Sequence, residues 1–221
     1  MAVKHSVETL LAESFNESDL TSKQKAVLRA SLSLFSEKGF EQTTTTDIAR
    51  VAGVAEGTVY KRFKTKDDIL KAIMSPFLAE VIPQLITEFT DAVVNASYPH
   101  FADFLQQAIG NRMQFALENR KQIRVFLQEL TKRTNSQELT ILIPELDQVV
   151  SALTTVLDHY KQQGEVVDWP TMRIARYIAS TAVGYMLPAV LMNQSLSEAQ
   201  LAKFSQEATE FLVRGLTPVA G

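Results

Sequence analysis

Residues 23–70 read KQKAVLRASLSLFSEKGFEQTTTTDIARVAGVAEGTVYKRFKTKDDIL, and signals for the beginning and end of helices recur along this stretch. A Thr followed three residues later by Gln or Asp has the spacing of a capping box, in which two side chains satisfy free backbone N–H groups at a helix start. This spacing occurs at Thr21–Gln24, Thr44–Asp47 and Thr65–Asp68. Gly39 and Gly53 are placed to end the first two helices, because glycine adopts the left-handed backbone conformation at little cost. The stretch therefore predicts short helices joined by tight turns.

The second and third of these helices predict a helix-turn-helix motif. The second covers residues 44–53, and the third, which is very short, covers residues 56–63. Val59 and Phe63 are apolar, so they are expected to pack inward. That leaves four side chains mostly exposed, namely Thr58, Tyr60, Lys61 and Arg62. Hydroxyl, aromatic and basic groups on one helix face suit contact with phosphates and base edges, which a simple helical hairpin would not need.

Charge is distributed unevenly along the 221 residues, although the net charge is only −3. Residues 1–20 hold one Lys against four acidic residues, for a net charge of −3. Residues 21–71 hold ten Lys and Arg against six acidic residues (net +4), and residues 72–221 hold eleven against fifteen (net −4). A basic segment in an otherwise acidic chain suggests that a polyanion binds to the basic segment alone.

Residues 23–70 closely resemble the DNA-binding domain of the TetR family of transcriptional repressors. The matching pieces are, in order, L-F-x-x-K-G-F, T-T-x-x-I-A, A-G-V-x-x-G-T-V-Y and F-K-T-K-D-D-I-L. The resemblance implies an all-α chain, with a helix-turn-helix DNA-binding domain at residues 21–70 and a helical effector-binding and dimerisation domain at residues 71–221. Residues 1–20 are acidic and polar, and they are predicted to form a flexible or loosely docked arm.

The resemblance also implies that residues 56–62 enter the major groove of double-stranded DNA as the recognition helix. Lys61 and Arg62 are the candidates for specific contacts, since Arg pairs with two acceptors of guanine, although either could contact phosphate instead. The other candidate DNA contacts are Thr45, Gly57, Thr58, Tyr60, Lys64 and Lys66. Of these, Thr45, Tyr60 and Lys66 would contact the phosphate backbone.

Four of the candidates have simpler alternative roles. Thr45 could serve merely to cap its helix. Gly57 could serve helix packing alone, rather than allow the close approach of DNA. Tyr60 could pack on its neighbours. Lys64 could be no more than a solvated charge.

The chain departs from the family pattern just before the recognition helix. Family members often carry Ser or Thr where this chain has Ala55, whose methyl group cannot cap a helix. The neighbouring Glu56 is acidic and should disfavour phosphates. Modest operator affinity and unusual sequence specificity are therefore expected.

Residues 177–197 carry no charge and are long enough to span a bilayer. Polar side chains and Pro188 interrupt the segment, so we interpret it as a helix buried in protein and predict no membrane contact. In the TetR family the last two long helices pair with those of a second subunit, which implies a homodimer. The candidate interface residues are Ala182, Leu187, Leu191 and Phe211. Burial of these residues within one subunit is the alternative.

Members of the family hold an effector between the helices that follow the fourth. The candidate lining of a pocket for a small, largely apolar effector is Phe104, Met113 and Phe126. Met and Phe at helical spacing also form ordinary core, and the sequence does not separate the two. The implied function is a ligand-responsive regulator, most often a repressor, that binds a palindromic, inverted-repeat operator as a dimer and is released by the effector.

Other functional classes find little support in the sequence. There are no cysteines, and the three histidines, His5, His100 and His159, lack the spacing of a zinc enzyme. We therefore predict no catalytic residue, no metal and no cofactor. A cysteine-free chain whose first residues lack the apolar core of a signal peptide is expected in the cytoplasm. The remaining alternative is a helical adaptor that binds proteins without reading DNA sequence.

Overall fold

The structure, a computed structural model, describes residues 5–132 and 143–218. These ranges form α-helices and contain no β-strand, which confirms the predicted all-α fold. The helices are α1 (Val7–Glu17), α2 (Ser22–Lys38), α3 (Thr45–Ala52), α4 (Glu56–Arg62), α5 (Lys66–Pro76), α6 (Ile82–Phe89), α7 (Phe101–Glu118), α8 (Arg120–Lys132), α9 (Ile143–Gln162), α10 (Thr171–Leu191) and α11 (Glu198–Leu216). π-Helical segments at Phe77–Val81 and Thr90–Val94 follow α5 and α6.

Within the described ranges, the chain divides into two compact units. The N-terminal unit contains residues 5–84 and 121–132, and the C-terminal unit contains residues 85–120 and 143–218. The N-terminal unit extends past the predicted domain end at residue 70, because the Phe77–Val81 segment packs against α1.

Local signals for helix boundaries act as predicted in the N-terminal unit. The three predicted capping boxes form at Thr21, Thr44 and Thr65. In the first, the N–H of Thr21 donates to Gln24 Oε1 at 2.9 Å, and the N–H of Gln24 donates to Thr21 Oγ1 at 3.4 Å. Gly53 ends α3 in the left-handed conformation (φ 67°, ψ 32°), which few other residues adopt without strain. Ala55 begins α4 with no side-chain cap, as expected of a methyl group.

Residues 7–17 form α1, so the prediction of a flexible arm is wrong for this segment. Its apolar side chains, Val7, Leu10, Leu11 and Phe15, are at most 2% exposed. Their spacing of i, i+3, i+4 and i+8 gives the helix one apolar face, which packs against α2, α5 and Phe77–Val81. The acidic residues Glu8, Glu13 and Glu17 are exposed. The acidic composition therefore describes only the outer face of an ordered helix.

α7 is the central helix of the C-terminal unit, and it packs against α10 and α11. Its buried side chains include Phe101, Phe104, Leu105, Ile109 and Met113, each no more than 1% exposed. Ile174 from α10 and Leu212 from α11 belong to the same core. Burying one large apolar side chain contributes roughly 1.5–3 kcal/mol, so these contacts hold the two long helices against α7.

Within the part of the chain that the structure describes, two helical stretches have the length and apolar composition of membrane-spanning helices, Lys66–Val94 and Thr171–Leu191. In the first stretch, 44% of the most apolar window is buried within the protein. In the second, which is α10, only 22% is buried. A single chain therefore leaves most of this apolar helix uncovered.

Candidate nucleic-acid interface and apolar cavity

The outward side of α4 and the residue that follows Phe63 carry most of the predicted DNA contacts. Tyr60 is 47% exposed, and Lys61 and Arg62 are also exposed. Val59 and Phe63 are buried beneath them, as predicted. Thr58 is half-buried. We define the α4 face as the exposed residues Gly57, Tyr60, Lys61, Arg62 and Lys64.

Hydroxyl groups at the start of α3 join the α4 face. Thr44 is the N-cap of α3, so Thr45 does not cap this helix and its alternative role is excluded. Thr45 Oγ1 instead lies 2.8 Å from the hydroxyl oxygen of Tyr60. Thr46 Oγ1 donates to Glu56 Oε1 at 2.9 Å, and Thr45 Oγ1 donates to the same oxygen at 3.4 Å. We refer to Thr45, Thr46, Glu56 and Tyr60 as the Glu56 cluster.

The charge of Asp47, also on α3, is paired, whereas that of Glu56 is held by neutral hydroxyl groups. Asp47 Oδ1 lies 3.1 Å from Arg50 Nη2 and 3.7 Å from Lys38 Nζ. Hydrogen bonds from Thr44, followed by the one from Arg50, lower the pKa of Asp47 from 3.8 to about 2. Hydroxyl donors do not neutralise a carboxylate. Glu56 therefore places a negative charge at the edge of the surface predicted to bind phosphate.

Gly57 is exposed, and a Cβ added there would meet no atom within 4 Å. Packing inside the protein does not require glycine at this position, which removes the packing alternative. Close approach of DNA to the helix remains the prediction for Gly57.

Lys66 has a structural role, which argues against the predicted phosphate contact. Its Nζ donates hydrogen bonds to the carbonyl oxygens of Phe40 (2.6 Å), Glu41 (3.2 Å) and Thr43 (3.0 Å). The same ammonium lies 4.4 Å from the centroid of the Phe40 ring. A lysine has three N–H donors, so these carbonyl groups use all of them. Lys66 therefore ties the start of α5 to the turn between α2 and α3.

The C-terminal unit contains an apolar cavity of about 450 Å³. Its described lining is Phe89, Phe104, Ala108, Ile109, Arg112, Val150, Leu153, Met172, Ala175, Arg176, Ile178, Ala179 and Ala182. Of the three predicted lining residues, only Phe104 lies on this wall. Met113 is fully buried in the core, and Phe126 belongs to the N-terminal unit, where its ring stacks on Phe77 with centroids 3.7 Å apart. These two residues therefore do not line this cavity, and apolar periodicity does not distinguish a cavity wall from filled core.

Arg112 is the half-buried cation of the cavity wall, and the sequence analysis missed it. Its guanidinium carbon lies 4.2 Å from the ring centroid of Phe89 and 5.0 Å from that of Phe115. Nε and Nη2 donate to Asn111 Oδ1 at 3.1 and 2.6 Å. Burial lowers the pKa of Arg112 from its usual value to about 10, and the charge of Glu88 acts in the opposite direction. The side chain therefore stays protonated at neutral pH.

Three of the four predicted interface residues are exposed in the single chain. Leu187 is 39% exposed, Leu191 is 49% exposed and Phe211 is 68% exposed, so burial within one subunit is excluded for them. Ala182 is half-buried and contributes to the cavity wall instead. Further exposed apolar side chains on and beside α10 are Met172, Tyr177, Val183 and Met192. In the described ranges, no group of three or more His, Asp or Glu side chains is arranged to hold a metal ion.

Comparison with known proteins finds similarity in sequence and fold to bacterial regulators. The sequence model of "Bacterial regulatory proteins, tetR family" matches residues 27–73. The "Fatty acid metabolism regulator protein" of Bacillus subtilis is 24% identical over 195 residues, which cover 88% of this chain and 95% of the relative. A solved TetR-family regulator from Mesorhizobium loti aligns with 90% of this chain and 100% of its own, with a TM-score of 0.62 and 16% identity. FadR from Bacillus subtilis, solved in complex with stearoyl-CoA, aligns with 86% of this chain and 97% of its own, with a TM-score of 0.59 and 22% identity.

Proposed function

We propose that this chain is a transcriptional regulator of the TetR family, and that it represses its target genes by binding an inverted-repeat operator as a homodimer. A small, largely apolar effector, bound in the cavity of the C-terminal unit, releases it from DNA. The relatives and the fold are those of regulators rather than of enzymes. The observation that carries the proposal is the α4 face, where hydroxyl and basic groups are exposed together on the helix that follows the turn.

The α4 face supplies the two kinds of contact that sequence-specific binding needs. Arg62 is suited to pair with the O6 and N7 atoms of guanine, which is worth roughly 1–3 kcal/mol of discrimination between bases. The hydroxyl groups of Thr45 and Tyr60 and the ammonium of Lys64 suit phosphates, which fix the position of the helix without reading sequence. Lys61 adds positive charge between these groups.

Exposed apolar side chains on α10 and α11 support the homodimer. A second copy of the chain placed on Leu187, Leu191 and Phe211 would remove their apolar surface from water, which contributes about 25 cal/mol per Å². A dimer also fits the helix-turn-helix motif, because two copies of α4 would reach half-sites about 34–36 Å apart.

The cavity supports an effector with a substantial apolar part. Its volume of about 450 Å³ lies in the range of small-molecule sites, which is roughly 300–1,000 Å³. The name of the Bacillus subtilis relative and the stearoyl-CoA bound to FadR concern fatty acyl compounds, whose chains suit an apolar wall. Such an effector would shift the population toward a conformation with low operator affinity, by as much as its affinities for the two conformations differ.

A cytoplasmic location without membrane contact accords with this function. The apolar stretch Lys66–Val94 is accounted for by burial in its own chain. We assign the exposed side of Thr171–Leu191 to the partner subunit rather than to lipid.

The experiment that tests the function is selection of binding sites from random duplex DNA by the purified protein, with Arg62→Ala in parallel. We expect an inverted repeat with the wild type and its loss with the variant. Straight-chain acyl compounds, added to the selected site, are expected to lower the affinity. The adaptor alternative would enrich no sequence, even at low salt, where contacts to phosphate are strongest.

A further inference from the structure

The wall of the apolar cavity contains a half-buried charged side chain, that of Arg112. Among the 13 described lining residues, 11 are apolar, and the two charged ones are Arg112 and Arg176. Arg176 is exposed, whereas Arg112 is half-buried between aromatic rings. The apolar wall of the cavity therefore includes a cation with restricted access to water.

We propose that the cavity binds an anionic amphiphile, whose negatively charged head group is held by the Arg112 guanidinium and whose apolar chain fills the remaining space. This inference rests on the proposed effector function, because it names the chemical class of the effector. A carboxylate is the simplest such head group, and Arg binds carboxylates through two parallel hydrogen bonds.

The hydrogen bonds of Arg112 leave donors available for this head group. A guanidinium carries five N–H donors, and Asn111 accepts from two of them. The rings of Phe89 and Phe115 lie close to the group, with centroids 4.2 and 5.0 Å from the guanidinium carbon, so a ligand would meet the remaining N–H groups. The stacking also holds the group in place before the ligand arrives, which reduces the ordering needed on binding.

The electrostatic environment of Arg112 favours an anionic ligand over a neutral one. Burial destabilises the charged form of Arg112, as its lowered pKa records. Glu88 offsets part of this penalty. A ligand with one negative charge would offset more of it, whereas a neutral ligand would remove water from the cation and offer no charge in return.

The test is calorimetric titration of the purified full-length protein with dodecanoate, with dodecanol of the same chain length, and with dodecanoyl-CoA. Arg112→Met keeps a flexible stem between the two rings and removes the charge. We expect it to weaken binding of dodecanoate about ten- to hundredfold and to leave binding of dodecanol within about twofold. Arg214→Met, which removes the same charge at an exposed position of α11 outside the cavity lining, is the matched control, and it should bind dodecanoate as the wild type does.

Arg112→Lys tests whether Arg112→Met loses binding only because the protein fails to fold. It keeps the positive charge without the planar fork, and it should bind dodecanoate with an affinity between those of the wild type and Arg112→Met. A loss in Arg112→Met that is confined to dodecanoyl-CoA would support the anionic head group and identify it as part of the coenzyme. A loss confined to dodecanoate would identify the free acid.

Three results would overturn the inference. They are no binding of either anion to the wild type, equal weakening of acid and alcohol in Arg112→Met, and no weakening of either anion in this variant. Operator affinity measured in the same samples separates this inference from the proposed function. If dodecanol releases the wild type from its operator as well as dodecanoate does, the role of Arg112 is wrong while the ligand-responsive repressor stands. If no apolar compound changes operator affinity, the proposed function fails as well.

Discussion

The hydroxyl oxygens of Thr45 on α3 and Tyr60 on α4 lie 2.8 Å apart, although 15 residues separate them in the chain. The contact joins the two helices of the helix-turn-helix motif at the surface predicted to meet DNA. Thr45 also donates to Glu56, so a carboxylate shares in the same set of hydrogen bonds. Binding of a phosphate to either hydroxyl would have to compete with Glu56, which makes this residue a determinant of affinity.

Replacing Glu56 by Gln is expected to raise affinity for all duplex DNA several-fold, because it removes a negative charge close to the phosphates while keeping an acceptor for Thr46. The ratio of specific to non-specific affinity should fall. Gel-shift titrations at two salt concentrations would measure both. Glu198→Gln, an equal change of net charge in the C-terminal unit, is the control. Weaker DNA binding by Glu56→Gln would show instead that the Glu56 carboxylate is needed for contact with DNA.

Arg62→Lys separates contact with a base from contact with phosphate. If Arg62 pairs with guanine, discrimination at one base pair should fall by about 1–3 kcal/mol, while the salt dependence of binding stays the same. Competition between the selected operator and single-base variants provides the measurement. A variant that keeps full discrimination would place Arg62 on phosphate. Arg214→Lys, exposed near the end of α11, should change neither quantity.

Lys66→Met is expected to lower the stability of the protein, whereas Lys64→Met is expected to weaken its binding to DNA. Loss of three hydrogen bonds from the ammonium of Lys66 should lower the free energy of unfolding by roughly 2–4 kcal/mol, measured by urea denaturation. Lys64 is exposed, so its loss should leave stability unchanged and reduce the slope of log K against log salt by about 1. An unchanged stability and a reduced salt slope in Lys66→Met would instead support contact of Lys66 with phosphate.

These residues show what local sequence can and cannot predict. The capping boxes, the turn at Gly53 and the inward side of α4 depend on neighbours within four residues, and all were predicted correctly. The acceptors of Lys66 lie 23 to 26 residues before it, so only the folded chain reveals its role. Arg112 was missed for a similar reason, because the cavity around it is formed by several helices.

Phe211→Glu is expected to dissociate the proposed homodimer. Phe211 is 68% exposed in the single chain, so the substitution should leave the fold intact while placing a charge in the interface. Analytical ultracentrifugation and circular dichroism should show a helical monomer with weakened operator binding. Gln206→Glu, a charge added at another exposed position of α11, should remain a dimer. A dimeric Phe211→Glu protein would contradict the assigned interface.

Glu165 and His100 predict a dependence of stability on pH. Glu165 Oε2 accepts from the N–H of Phe101 at 2.6 Å, and Oε1 lies 3.1 Å from His100 Nδ1. The hydrogen bond to Glu165, and then its charge, raise the pKa of His100 above 6.5. The bonds from Phe101 and then His100 lower the pKa of Glu165 below 4.5. The stabilisation by His100 is complete below pH 6.5 and is lost as the pH rises through the raised pKa of His100. The stabilisation by Glu165 is complete above pH 4.5 and is lost as the pH falls through the lowered pKa of Glu165.

Glu165→Gln should therefore cost most stability between pH 4.5 and 6.5, and less on either side. The pKa of His100, followed by NMR, should fall toward 6.5 in this variant. The nearby Asp103 also raises the His100 pKa and remains in place, which limits the fall. His159→Gln is the control, with little change expected. An unchanged His100 titration in Glu165→Gln would contradict the pairing.

The packing of α1 has a practical consequence for the engineering of hybrid regulators. The segment that sequence comparison recognises begins at residue 27, yet Leu11 and Phe15 are fully buried against helices within and beyond that segment. A chimaera that grafts only residues 21–70 onto a foreign sensor would strip this cover from α2 and α5. The transferable module of this protein is therefore larger than its recognisable motif, and it should include Val7–Val81 together with residues 121–132, whose Phe126 stacks on Phe77.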